Sequence, residues 1–203
     1  MNRRCTILGL LSTFAATHEL RAHPSVSPDL LRVRESDYVM GASEAPIVIV
    51  EYASFTCAAC ARFHNEVVPA VKRRWIDSGK AKLVFRQFPF DNVATRMSQL
   101  AECSTPANFF PTVETLFRTQ DRWIRAADPV AEAVRMLAGL GVTRQSAEAC
   151  AANAAVFDKV IDDVQSGQAL GVTSTPTLFM NGENHHNPGN SDAIDEILLK
   201  AAG

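Results

Sequence analysis

The hydrophobic pattern divides the chain into strand-like runs toward either end and a long helical middle. Ile47-Val48-Ile49-Val50 is a continuous β-branched run, as expected of a strand buried on both faces. It continues through Glu51, Tyr52 and Ala53, and residues 54–56 turn the chain into a helix. There Cys60, Phe63, Val67 and Val71 recur at helical spacing and form one apolar stripe, which turns Cys60 to the core and leaves Cys57 in the first turn. Gly79 ends that helix, and residues 82–88 read as a second strand closed by Pro89. Residues 93–166 have a helical pattern throughout. Their stripes are Val93, Met97 and Leu100; Val113, Leu116 and Phe117; Val130, Val134, Leu137 and Ala138; and Cys150, Ala154, Phe157 and Ile161. Residues 167–174 read as a connector to a strand over 175–180 that contains Pro176. Asn181-Gly182 is a strong hairpin turn, and the polar run at 183–188 predicts a short edge strand. Ile194, Ile197, Leu198 and Ala201 define a closing amphipathic helix.

The first unit is therefore βαβ, which implies a parallel pair joined by a right-handed crossover, and the hairpin adds an antiparallel edge. Residues 23–45, with Pro24, Pro28 and Gly41, read as an irregular lead-in. The 203 residues suit one domain with an insertion, and 47% hydrophobic residues are enough to bury a core.

Arg3 and Arg4 followed by the largely apolar residues 5–16 have the pattern of an export signal, too short to span a bilayer. The expectation is a signal peptide over 1–22, cleavage near His23, and a domain over 23–203 delivered to the periplasm. An uncleaved anchor and a cytoplasmic helix are the alternatives. Loss of 1–22 removes three basic residues and one acidic residue, taking the net charge from −2 to −4. With Lys72-Arg73-Arg74 as the longest basic run, nucleic acid is not an expected partner.

Removal of Cys5 leaves Cys57, Cys60, Cys103 and Cys150, and an even number in an oxidising compartment suggests two pairs. Cys57-Ala58-Ala59-Cys60 opens a helix directly after a strand. The helix N-terminus favours a thiolate at Cys57, and thiolate is the attacking species. Cys57 is thus the expected nucleophile and Cys60 the resolving partner. A zinc site needs four ligands, but Cys57, Cys60 and His64 supply only three at plausible spacing, while His185 and His186 lie in a polar run, so no metal is expected. No other cofactor is expected, since the cysteine pair itself is the redox centre. Glu51 closes the apolar run six positions before Cys57. It reads either as a buried carboxylate of raised pKa that takes the Cys60 proton or as an exposed strand-end acid. Pro176 removes a ladder N–H, and its neighbour Thr175 has backbone groups to offer an extended substrate. Cys103 and Cys150 read either as a structural disulfide or as two buried free thiols. As a bond they would close a loop of about 48 residues, worth roughly 4 kcal/mol in the chain-entropy model.

Several ordered motifs resemble the DsbA-like branch of the thioredoxin superfamily over roughly residues 37–201. The entry Gly41-Ala42-Ser43-Glu44-Ala45-Pro46, the segment from Glu51 to Cys60, Phe85-Arg86-Gln87-Phe88-Pro89 and Thr175-Pro176-Thr177 carry the likeness. The resemblance implies an α/β thioredoxin fold with the helical insertion between the βαβ unit and the cis-proline strand. It implies Cys57 as nucleophile, Cys60 as buried partner, Glu51 as buried acid and Pro176 as the cis proline, with Thr175, Ala58 and Ala59 at the substrate. It also implies a periplasmic enzyme that exchanges disulfides with unfolded or partly folded exported proteins and is served by a membrane redox partner. The short lead-in leaves no room for the dimerisation domain of dedicated isomerases, so a monomer is expected. A reductase or isomerase of the same fold is the alternative, and a non-enzymatic chaperone a weaker one. DsbA enzymes commonly carry Pro-His between their cysteines; here Ala58 and Ala59 remove one source of thiolate stabilisation. Redox titration against glutathione is expected to give a pair less oxidising than DsbA itself, and a DsbA-like potential would contradict this.

Overall fold

The computed structural model describes residues 28–186 and 189–202. The expected export signal with Cys5, the cleavage point near His23, and Pro188 lie outside the described residues. Within them, a five-stranded sheet has the order β1-β3-β2-β4-β5. Its strands are β1 (Tyr38–Met40), β2 (Ile47–Ala53), β3 (Ala81–Gln87), β4 (Thr177–Met180) and β5 (Glu183–His186). The β-branched β2 takes the centre, parallel to β3 and antiparallel to β4. The polar β5 is the edge strand, antiparallel to β4 across the turn at Asn181 and Gly182, both with positive φ.

The lead-in is more ordered than its composition predicts. A 3₁₀ turn (Pro28–Leu31) precedes β1, which pairs antiparallel with β3 as the opposite edge. Three half-buried residues give too short a pattern to declare a strand. β1 is held through Tyr38, whose ring stacks on Phe109 with centroids 3.7 Å apart.

The crossover from β2 to β3 is one helical rod with changes of pitch. It runs through α1 (Ala58–Arg62), a π-helical turn (Phe63–Val67), α2 (Val68–Val71) and a second π-helical turn (Lys72–Ile76). Pro69 has no N–H to donate, and the ladder widens just before it. The stripe of Cys60, Phe63, Val67 and Val71 is buried throughout.

Between β3 and β4 lies the helical insert. It comprises α3 (Asn92–Glu102), α4 (Phe109–Arg118), α5 (Gln120–Trp123), α6 (Pro129–Met136), α7 (Arg144–Ala151) and α8 (Ala154–Ala169); α9 (Ser191–Ala202) closes the chain. Two of the expected stripes pack inward; the third does so through Val130, Val134 and Leu137, while Ala138, beyond the end of α6, is exposed, and the fourth is corrected. Cys150 belongs to α7, and Asn153 caps a new helix, so Ala154 and Phe157 turn outward and Val160, Asp163 and Gly167 face the core instead. Gly167, expected in the connector, lies inside α8. A Cβ there would sit 2.7 Å from the Phe88 ring and 3.0 Å from that of Tyr52, so only glycine allows this approach.

A buried charge network anchors the lead-in to the sheet. Arg86, with no exposed surface, uses all five of its N–H groups. Nε and Nη2 donate to Asp37 at 3.2 and 2.9 Å, and Nη1 and Nη2 donate to the Leu30 and Arg32 carbonyls at 2.6 and 2.8 Å. Nη1 also donates to the Tyr52 hydroxyl at 2.9 Å. Arg34 joins Asp37 to Asp163, whose carboxylate also accepts the Gln87 N–H at 3.0 Å. The Asp37 pKa is lowered: burial works against the charge, but the Arg86 and Arg34 bonds outweigh it.

Breaking one side of a buried pair strands the other charge. Asp37→Asn is therefore expected to cost about 3–5 kcal/mol of unfolding free energy in urea titrations. Because the folded-state value lies below the ordinary 3.8, Asp37 contributes its stability above that pH and loses it as pH falls through the folded value. The variant should accordingly show a flatter acid limb; an unchanged limb would contradict the role given to Asp37.

Candidate active site

Cys57 caps the N-terminus of α1 from an extended backbone conformation, φ −78° and ψ 117°. Its thiol is half-buried and donates to the Thr175 carbonyl at 3.2 Å. The Thr175–Pro176 peptide bond is cis, and it brings the β4 entry alongside the sulfur. Cys60 lies one turn on, fully buried among Phe55, Ala61 and the insert. Of the two residues between, Ala58 is exposed and Ala59 half-buried, and neither adds a charge.

The two cysteines are pushed in opposite directions. Cys57 is lowered to about 5, first by a hydrogen bond from the Cys60 thiol, against a cost of burial, then by the Thr175 side chain and the Cys60 and Ala59 backbone amides. The Thr175 hydroxyl oxygen is buried and has no partner among the described residues, so it can turn onto the sulfur once that is ionised. Cys60 is raised, first by burial, then by its bond to Cys57 and the negative charge of Glu51. At neutral pH the pair thus presents one thiolate at the surface and one thiol beneath it.

Glu51 is not a strand-end acid. It lies within β2, opposite Phe85 of β3 and Leu178 of β4, with no exposed surface. Both its carboxylate oxygens meet His64 Nε2, at 3.1 and 3.0 Å. His64 is buried and stacked on Phe117 at 4.4 Å. Its sequence position suggests only a third metal ligand, yet standing four residues after Cys60 places it on the same core-facing stripe. Among the described residues no cluster of three or more His, Cys, Asp or Glu side chains is arranged to hold a metal ion.

The loop around the cysteines is fastened from the insert. Gln120 Nε2 donates to the Phe55 carbonyl at 2.6 Å and to the Cys57 carbonyl at 3.1 Å. The Thr56 hydroxyl donates to Asp91 at 2.6 Å, and Asp91 also caps α3 through the Ala94 N–H at 2.7 Å. Phe55 packs between Phe85 and Phe117. No sequence pattern singled out Gln120 or Asp91, because each acts across more than 30 residues. Cys103 and Cys150 are bonded as a disulfide, Cα atoms 5.9 Å apart, and tie the end of α3 to α7 in the insert.

A strand-to-helix Cys-x-x-Cys beside a cis-proline loop is a thioredoxin-type redox site, and residues 34–200 match the family model described as Thioredoxin. The chain belongs to the thioredoxin family. Within it, the helical insertion makes the fold DsbA-like. The alpha-DsbA1 structure of Wolbachia pipientis superimposes with a TM-score of 0.79 at 26% identity, covering 87% of this chain and 96% of that one. A putative protein-disulfide oxidoreductase of Rickettsia bellii is 30% identical over 173 residues, 82% of this chain and 66% of the relative. The Na(+)/H(+) antiporter NhaA 3 of Salinispora tropica is 29% identical over 170 residues, 82% of this chain but 25% of that protein. The chain thus spans about a quarter of the antiporter and about two thirds of the Rickettsia protein.

Alkylation separates the two sulfurs. In the reduced protein, iodoacetamide should label Cys57 with a pH midpoint about 5 and leave Cys60 unlabelled at neutral pH. A midpoint near the ordinary thiol value of 9.0 would contradict the geometry of the cap.

Proposed function

We propose that this protein is an exported thiol:disulfide oxidoreductase that forms disulfides in unfolded or partly folded proteins through Cys57 and Cys60. The observation that carries this reading is the lowered pKa of Cys57 beside a buried, raised Cys60. Stabilising the thiolate stabilises the reduced form, and a pair whose reduced form is stabilised is a good disulfide donor. A substrate thiolate attacks Cys57 Sγ of the enzyme disulfide, and Cys60 leaves. A second substrate thiolate then attacks the substrate sulfur of the mixed disulfide, and Cys57 leaves as the stabilised thiolate. The substrate gains a disulfide and the enzyme takes up two electrons, which a membrane redox partner removes.

Thr175 and cis-Pro176 offer an extended substrate backbone groups beside the sulfur. Phe90, exposed next to Asp91, offers an apolar contact on the same rim. Glu51 exchanges a proton with Cys60 as that sulfur enters or leaves the bond. The Cys103–Cys150 disulfide supports an oxidising compartment, in keeping with an export signal over 1–22. A periplasmic reductase is the second reading, favoured by the uncharged Ala58-Ala59 dipeptide.

Refolding of a reduced, denatured model protein with the oxidised enzyme tests the proposal, with insulin reduction run alongside. Oxidation should outpace insulin reduction, and Cys57→Ala should abolish both. Cys60→Ala should accumulate a mixed disulfide at Cys57 when reduced enzyme meets a disulfide substrate. Insulin reduction without oxidase activity would favour the reductase, and retention of either activity in Cys57→Ala would overturn the site.

A further inference from the structure

A fully buried carboxylate with no partner gives up its charge, because desolvation favours the protonated acid. Glu51 can accept a proton from Cys60 only if something in the core keeps it proton-free. Around it, β3 presents Phe85 and β4 presents Leu178, while α4 presents Phe117 to the neighbouring His64 ring. From the helix come the Cys60 thiol, itself uncharged, and His64. Among the described residues, the hydrogen-bond partner of the Glu51 carboxylate is His64, whose Nε2 lies almost symmetrically between the two oxygens, at 3.1 and 3.0 Å.

The imidazole is itself held. Phe117 stacks on one face, while Phe63 and Phe85 meet it edge-on at 5.8 and 5.6 Å. It sits in the π-helical turn Phe63–Val67, where the helix departs from regular pitch between Cys60 and Pro69. Within that turn Asn65 Nδ2 donates to the Phe117 carbonyl at 3.3 Å, fixing the turn against α4. A wider turn at the functional face of a helix is a recurrent way to aim a side chain.

We propose that His64 is the positioning residue of the resolving step: its Nε2–H, donated to both carboxylate oxygens, holds Glu51 as the proton-free carboxylate that receives the Cys60 proton. This rests on the reading of Glu51 given above. In the resolving step Cys60 transfers its thiol proton to a Glu51 oxygen. The Cys60 sulfur attacks Cys57 Sγ of the mixed disulfide, the Cys57–Cys60 bond forms, and the bond to the substrate breaks. The substrate sulfur leaves with the electron pair as a thiolate. Disulfide donation runs the same step backwards: Cys60 leaves as thiolate and recovers the proton that Glu51 took up when the Cys57–Cys60 bond was formed. Without His64 the buried carboxylate has no donor, and desolvation of an unpaired carboxylate works against its role as proton acceptor.

Single-turnover kinetics tests this. Reduced enzyme is mixed with a peptide disulfide, and the Cys57 mixed disulfide is timed by acid quench and intact mass. Glu51→Gln and His64→Phe should each slow decay of the mixed disulfide by about 100-fold, the lower range for a general acid–base group, while its formation at Cys57 stays at the wild-type rate. The double variant should be no slower than either single one. His64→Gln, which keeps an N–H donor toward the carboxylate, should recover most of the rate, a rescue that a packing role would not give. Should His64→Phe not fold, His64→Leu makes the same comparison. Wild-type resolution in His64→Phe or His64→Leu, or losses that multiply in the double variant, would overturn the inference while leaving the Glu51 reading intact. Wild-type resolution in Glu51→Gln would instead remove the Glu51 reading, and this inference with it.

Discussion

The chemistry of this chain depends on holding one sulfur as an anion at the head of a helix. The Cys57 thiolate gathers the Cys60 thiol, the Thr175 side chain and the first amides of α1, and these together outweigh the cost of its partial burial. Ala58 and Ala59 contribute no charge, so the stabilisation comes from hydrogen bonds and the helix terminus alone. The position of every stabilising group is set by tertiary structure. β2 sets where the helix begins, β4 brings Thr175 against the sulfur, and Gln120 of the insert clamps the intervening backbone.

One helical turn separates two opposite environments. Cys57 is half-exposed at the surface; Cys60, Glu51 and His64 lie under it in an aromatic shell of Phe63, Phe85 and Phe117. Low polarity there keeps Cys60 as a thiol, so only one sulfur is nucleophilic in the reduced protein. The same low polarity makes a resident carboxylate costly unless paired, which gives the Glu51–His64 contact its weight.

The elements that carry strong periodicity were legible in the sequence. β2 over Ile47–Ala53 and the Asn181-Gly182 hairpin stand where the pattern placed them. β1 was not legible, because three half-buried residues held by a sheet edge and one aromatic stack leave no alternation to read. The stripe drawn through Cys150 and Phe157 failed because apolar spacing continued across a break that Asn153 caps. Gly167 looked like a connector, since nothing local shows that Phe88 and Tyr52 will crowd its Cα. The cysteine pair announced itself by spacing, whereas Arg86, Gln120 and His64 act on partners that lie in other elements, and no local pattern encodes such pairings.

Stabilising the thiolate of the reduced pair favours handing a disulfide to substrates, so direction of electron flow is the central claim. The redox state of Cys57–Cys60 in living cells reports it most directly, read by acid quenching followed by alkylation with a mass tag. The account predicts that the pair is held predominantly oxidised. A pair found predominantly reduced in growing cells would contradict it and make the protein a reductase.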